Sequence, residues 1–331
     1  MRKNGFLTAT VMFMLMIGMG HAQDSVKFGE PVCIGHGGSP QWSPDGSTLA
    51  FIDSASLYVT TPPEFKERKL IAIDIGPFQW VENTGFVWQK RIDRQHNSAK
   101  WDCEYIYASD LMGNVELLDS DSTRAGSRSF GRIGKLMPAI EGTIAYHEIL
   151  NGDEHNTRPK ILRQTALIKP ASTAATHRRM AFSRSEAGAF GDIWLADLDG
   201  SKQRQVTHRP DKWLWALLSP NEELIATTNT SGEVIILDTT GTIKGNAGRA
   251  EVGSWSPNSN MLLIFVTEDD GLKIYGSDLF IYDLECNRRR QLTATPELIE
   301  EQPTWSPSGE FIAYVATNTG QIFVMPVMEG E

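Results

Sequence analysis

A tryptophan followed by Ser-Pro, a turn dipeptide and an apolar run comes back again and again along this chain. That repetition limits the fold more than any other feature. Residues 39–51 read SPQWSPDGSTLAF, residues 302–314 read QPTWSPSGEFIAY, and residues 253–265 read GSWSPNSNMLLIF. Fainter copies begin at Phe78 (FQWVENTGFVW) and at Trp215 (WALLSPNEELIA). Each part has a physical task. The indole supplies about 150–250 Å² of burial. Ser-Pro before Asp-Gly is turn chemistry, because Pro fixes φ and Gly or Asn accepts the left-handed conformation. The apolar run that follows has the composition of a strand covered on both faces. A third strand comes next (residues 56–59, 192–197, 279–283 and 321–324), then a polar turn, then a polar outer strand such as 202–207 or 288–293. Four antiparallel strands, apolar within and polar without, repeated around a ring, make propeller blades.

Spacing sets the expected number. Trp42 to Trp80 is 38 residues, Trp215 to Trp255 is 40 and Trp255 to Trp305 is 50. The 135 residues from Trp80 to Trp215 leave room for two degenerate units, with residues 137–146 and 179–183 as candidates. The expectation is an all-β single propeller of seven four-stranded blades, at about 44 residues each. Six blades, with residues 137–177 as one swollen unit, are the alternative. The last unit has three strands. Residues 26–35 stand ahead of SPQWSPDG where an outer strand stands ahead of PTWSPSG, so this N-terminal segment is expected to join the last blade and close the ring.

The start of the chain reads as a targeting segment. Arg2 and Lys3 precede a 13-residue apolar run, residues 6–18, and Gly20-His21-Ala22 offers small residues before a cut at Gln23. The run is shorter than the ~20 residues that cross a bilayer as a helix. Residues 1–22 are therefore read as a signal peptide and 23–331 as the propeller, in the periplasm or secreted, with no stable membrane insertion after cleavage. Lys+Arg number 31 against 41 Asp+Glu, a formal net charge of −10. That balance disfavours nucleic acid and anionic membrane as partners, since both need a basic footprint. Cys33, Cys103 and Cys286 show no CxxC or metal-finger spacing, and all three are read as small core residues.

The unit WSPDG…AF/AY…IW/IF…DxDG…QLT resembles the PD40 (WD40-like) repeats of the TolB-like propeller superfamily, over nearly all of the chain beyond residue 22. The resemblance implies a propeller without implying one activity. The superfamily includes exported envelope proteins that bind other envelope proteins, propellers of prolyl-oligopeptidase-like peptidases, and oligogalacturonate lyases. The chain departs from each pattern. The repeat begins within about 15 residues of the expected cut, too close for the α/β domain that precedes the TolB propeller. No G-x-S-x-G elbow of an α/β-hydrolase occurs, and no His-x-His matches the metal cluster of the lyases.

Three groups are candidates for chemistry or recognition. His147, Glu148, Asp153 and His155 flank Asn151-Gly152. A hairpin there would face two imidazoles and two carboxylates across a turn, a set able to hold a transition metal, although Asn-Gly is also the ordinary hairpin signal. Residues 91–102 read as an irregular insertion, with Arg94, His96 and Trp101 as candidate recognition residues. Asp119-Ser120-Asp121, residues 197–200 and residues 268–271 read as solvated acidic turns, and His208 as a structural turn residue. No cofactor is assigned. The residues favour a monomeric, non-catalytic scaffold that binds an envelope protein or glycan. The alternative is a polysaccharide lyase or hydrolase acting at the mouth of the central channel. Intact-mass measurement on the exported protein is expected to give a chain starting at Gln23; retention of residues 1–22 would refute the cleavage reading.

Overall fold

The computed structural model describes residues 26–81, 83–96, 99–124, 133–136, 144–150, 153–162, 179–184, 191–197, 201–208 and 212–328. Side chains are described for these except 93–96, 99–102, 122–124, 133–136, 144–150 and 153–162. The expected signal peptide lies outside the described residues.

The described strands fall into seven antiparallel sheets that succeed one another along the chain. The first sheet consists of Gly38–Trp42, Leu49–Asp53, Ser56–Thr60 and Lys69–Ile73, and the second of Phe78–Val81, Gly85–His96, Ala99–Asp110 and Val115–Arg124. The fifth, from Leu217–Leu218 to Ile243–Arg249, and the sixth, from Glu251–Trp255 to Arg288–Gln291, also have four strands. The third and fourth show three strands each among the described residues, and residues 137–143, 163–178 and 185–190 of these units lie outside that set. Neither carries a Trp-Ser-Pro turn. In the fourth sheet Arg179–Arg184, whose Met180-Ala181-Phe182 matches the second-strand run of other units, is the first described strand. Each sheet touches the next and the last touches the first. The protein is a single all-β propeller.

The seam is closed by the N-terminal segment. Val32–His36 pairs with Gln321–Met328, placing Cys33 opposite Phe323 and His36 opposite Gln321, and Lys27–Phe28 pairs further along the same strand. The apolar core lies between sheets. Ala226, Val234 and Ile236 of the fifth sheet pack with Trp255, Leu262 and Tyr282 of the sixth. At the seam, Ala313 and Val324 pack with Trp42, Leu49 and Phe65. Each sheet covers a face of its neighbour, at about 1.5–3 kcal/mol for each large apolar side chain buried.

The tryptophans of the repeat also bond across these layers. The Trp80 indole Nε1 donates to the Gln41 carbonyl at 3.0 Å, Trp255 Nε1 to Leu217 at 3.1 Å, and Trp42 Nε1 to Thr304 at 3.3 Å across the seam. In every case the acceptor belongs to the preceding sheet and stands one residue before that sheet's own tryptophan position. In the fifth sheet that position is held by Leu218, not by Trp215. Trp305 departs from the pattern, donating to Gly309 within its own turn at 3.2 Å.

The serine of each turn has a role beyond turn propensity. Ser43, Ser219 and Ser256 are buried and donate to Asp45, Asn221 and Asn258 at 2.6–2.7 Å. Each also accepts the amide of the residue five positions on, at or just before the start of the next strand: Thr48 at 3.0 Å, Leu224 at 2.9 Å and Met261 at 2.9 Å. The left-handed residue is always the fourth of the turn: Gly46, Glu222, Ser259 and Gly309. Asn221 and Asn258 therefore take the aspartate's role rather than the glycine's. Glu222 accepts the cost of positive φ, about 1–2 kcal/mol, while Arg179 of the preceding sheet grips it. The Arg179 amide and Nε donate to its carboxylate, both at 2.9 Å, and Nη2 donates to its carbonyl at 2.8 Å.

The QLT ending of the outer strands is explained in the same way. Thr207 and Thr293 are buried, and their Oγ1 atoms accept the amides of Ile193 and Leu279 at 2.9 and 2.8 Å. Trp255→Phe removes the bond to the half-buried Leu217 carbonyl and is expected to cost about 1 kcal/mol, read from the urea unfolding midpoint. An unchanged midpoint would show that the indole bond contributes nothing.

Candidate functional site

Antiparallel alternation sends the turns between first and second strands to one end of the ring, and the hairpins between second and third strands to the other. The turn end is tied from sheet to sheet: the Asp45 amide donates to Asn83 Oδ1 and the Asn221 amide to Ser259 Oγ, both at 3.0 Å. The hairpin end is where the sheets differ. In the first sheet the two hairpin strands are five residues each. In the second they are twelve each, and in the sixth nine and ten.

The extension in the second sheet corrects a reading of the sequence. Residues 91–102 are not an irregular insertion; strands Gly85–His96 and Ala99–Asp110 stay in register to the tip. Arg91 falls opposite Glu104 and Ile92 opposite Cys103, an opposite-charge pair and an apolar pair that suit a ladder. Arg94 lies opposite Trp101, and His96 opposite Ala99 at the very end. In the third sheet His147 is opposite Pro159, Glu148 opposite Arg158, and Asp153 opposite Leu150. His155 falls in the register shift beside that last pair. Both candidate groups thus occupy hairpin ends, in consecutive sheets. Their side chains, and Asn151 and Gly152, lie outside the described set. Among the described residues no three His, Cys, Asp or Glu side chains gather as a metal-ligand group.

Other readings change too. Asp119, Ser120 and Asp121 belong to the outer strand Val115–Arg124 rather than to a turn. Of residues 197–200 only Asp197 is described. Asp270 does close a turn, its Oδ1 accepting the amides of Leu272 and Lys273 at 2.9 and 2.8 Å. His208 is exposed. Cys103 is buried as expected, whereas Cys33 and Cys286 are exposed, because one lies on the outermost strand of the seam and the other in a turn before an outer strand.

The sixth sheet's long hairpin and the connection leading into the seventh border a half-open cleft of about 410 Å³ at this same end, lined by Glu268, Tyr275, Asp278, Gln291 and Thr295. Asp278 is fixed by Gln291 Nε2 at 3.0 Å and the Thr295 amide at 3.2 Å. Behind the cleft lies Glu300, fully buried. Thr293 and Thr295 donate to its two carboxyl oxygens, the latter at 2.7 Å, and Ser277 Oγ donates to its main-chain carbonyl at 2.6 Å. Burial pushes the Glu300 carboxyl above the ordinary range, and the nearby Asp278 charge pushes the same way against the two hydroxyl donors. Burial, then the Glu300 carboxyl, also pushes the Tyr314 phenol up. Nothing in the sequence singles out Glu300, since acids before a strand ordinarily read as solvated.

A raised carboxyl means that the folded chain holds a proton which the unfolded chain has released. The stability tied to it is complete below the ordinary glutamate range and falls as pH rises through the folded value. Glu300→Gln is expected to flatten the decline in unfolding free energy as pH rises above the ordinary glutamate range. A decline as steep as in the parent would show that Glu300 is not its source.

No family model matches the chain, and no curated protein matches it in sequence. Solved structures do match. The β-propeller domain of Cps50 (Swd1) from Myceliophteria thermophila is 11% identical over 92% of this chain and 100% of that one, with a TM-score of 0.56. A chain of the mitotic checkpoint complex is 12% identical over 99% of both, with a TM-score of 0.53. TolB from Acinetobacter baumannii is 14% identical over 92% of this chain and 65% of that one, with a TM-score of 0.42. At such identities the likeness is one of architecture alone, and the matches to the Cps50 domain and to the checkpoint-complex chain agree with a β-propeller fold.

Proposed function

We propose that this protein is an exported, non-catalytic propeller that holds a protein or glycan partner of the cell envelope on its hairpin end. The observation that carries the reading is the asymmetry between the two ends. At one end similar turns bond within themselves and, at Asp45 and Asn221, to the next sheet, and a cleft of about 530 Å³ opens there beside Asn258, Asp283 and Glu285. At the other, the second and sixth sheets lengthen their hairpins, and the sixth borders a half-open cleft lined by an aromatic ring, an amide and carboxylates. Such a mixture suits sugar hydroxyls or peptide groups, with an apolar surface beside a few placed polar atoms. Export is supported by residues 1–22, and the resemblance of the repeat to PD40 units agrees with a scaffold.

The test uses residues 23–331 as bait on envelope extract and on an array of envelope glycans. Replacing residues 95–100 by a two-residue turn, or Tyr275→Ala, is expected to lower retention of the bound component about tenfold or more. Ser47→Ala at the opposite end should leave it unchanged. Cleavage of an envelope polysaccharide by the purified chain, lost with His147→Ala or His155→Ala, would overturn the reading in favour of an enzyme.

A further inference from the structure

The sixth sheet's hairpin outgrows its neighbour. Its strands Met261–Asp269 and Ile274–Asp283 run for nine and ten residues, whereas Leu224–Thr228 and Glu233–Asp238 of the fifth sheet run for five and six. Lower down, the face that carries Leu262, Ile264 and Tyr282 packs on Ala226 and Ile236 of the fifth sheet. Residues alternate between faces along a strand, so the same face continues through Val266 and Glu268 on one strand and Asp278 and Gly276 on the other. That continuation borders the cleft of about 410 Å³. Val266 stands opposite Asp278, Glu268 opposite Gly276, and Phe280 opposite Gln291. With no side chain at Gly276, the two carboxylates flank a notch floored by bare main chain. A Cβ placed there would lie 3.7 Å from Glu268 Oε2.

The side chains of the cleft turn their donors onto the protein itself. The Tyr275 hydroxyl donates to Asp270 Oδ2, Ser277 Oγ to the Glu300 carbonyl at 2.6 Å, Gln291 Nε2 to Asp278 Oδ2 at 3.0 Å, and Thr295 Oγ1 to Glu300 Oε1 at 2.7 Å. Acceptors are left over. Glu268 has no partner among the described residues, and Gln291 keeps its Oε1. Asp278 takes one donor on each oxygen, from Gln291 and from the Thr295 amide, where each oxygen has room for two. A ligand that donates without accepting completes such a set. Sugar hydroxyls and amides bring acceptors for which no donor waits, and anions are repelled, whereas ammonium and guanidinium groups carry donors only. Two carboxylates are too few for a metal centre. The rings favour the planar guanidinium, which forks onto carboxylates and stacks on aromatic faces. Both already border a cation: Lys273 Nζ lies 5.4 Å from the centre of Tyr275 and Arg289 Cζ 5.6 Å from that of Phe280. Among the described residues neither cation pairs with Glu268 or Asp278.

We propose that this cleft receives an arginine side chain of the partner protein. Its guanidinium is held between Glu268 and Asp278 over the bare main chain of Gly276, and its aliphatic stem lies against Val266 and the Tyr275 ring. The proposal rests on the hairpin-end reading and narrows it, from a protein or glycan to a protein, and from one end of the ring to one side chain.

The probe is N-acetyl-arginine amide, titrated into the purified chain and followed by ligand-observed NMR. N-acetyl-citrulline amide has the same shape but no charge, and an acceptor oxygen replaces one nitrogen. It is expected to bind at least about tenfold more weakly, and N-acetylglucosamine likewise. Gly276→Val fills the notch with a residue that suits a strand and is expected to lower affinity for the arginine probe about tenfold. Glu268→Gln, on the exposed rim, is expected to lower it by a smaller factor that shrinks as salt rises, and it keeps the test decisive should Gly276→Val misfold. No binding of the arginine probe, equal binding of the citrulline probe, or an affinity that neither variant changes would overturn the proposal. Tighter binding of N-acetylglucosamine would overturn it in favour of a glycan. Retention from envelope extract separates the proposal from the reading beneath it. A retained component that excess arginine probe fails to displace overturns the arginine assignment alone. No retained component, while the probe still binds and Gly276→Val abolishes that binding, overturns the hairpin-end reading alone.

Discussion

The bond from an indole N–H to a carbonyl of the preceding sheet is the contact on which the ring depends. Apolar faces alone would stack sheets without fixing how far each slides or tilts over the next, because burial has no direction. The bonds from Trp80 to Gln41, Trp255 to Leu217 and Trp42 to Thr304 supply the direction. Each joins a buried donor to an acceptor at a matching place in the neighbouring unit, so the same offset is imposed at every such boundary. A constant offset between successive sheets is what lets a ring close rather than spiral.

Where the tryptophan pattern lapses, other polar groups hold the boundary. Trp305 turns its N–H to its own turn, and its amide instead takes the Ser254 hydroxyl of the sixth sheet at 2.8 Å. The same boundary contains Glu300 with its two threonine donors. Between the fourth and fifth sheets, Arg179 and Glu222 make the equivalent tie. A buried polar group left unpaired is costly, so such ties specify one arrangement even where they add little net stability.

Much of the architecture is legible in the residues. Trp, Ser-Pro and a following apolar run announce a strand, a turn and a covered strand, and the place of residues 26–35 relative to the first unit announces the seam. Other features need coordinates. The serine hydroxyl and the QLT threonine act on amides of other segments, so local propensity carries no trace of them. Trp215 imitates the repeat in composition while Leu218 occupies the position, because a tryptophan three residues early still satisfies a pattern read by eye. Residues 91–102 look irregular because polar residues dominate them, yet their strands pair residue for residue, with Arg91 opposite Glu104 and Ile92 opposite Cys103. Of the candidate site, the sequence marks His96, Trp101, His147 and His155 by residue type alone. Their grouping on one end follows from strand direction, and Glu300 escapes notice since burial is not written in its neighbours.

The seam reverses the order in which the parts of this molecule become useful. Val32–His36 is made well before the strand it pairs with, Gln321–Met328, which follows nearly 290 residues later. Loop closure over so many residues is slow compared with local hairpin formation. While the six intervening sheets are being made, then, they must wait beside an unmatched β-strand, and the molecule gains its circular integrity in one event rather than by degrees.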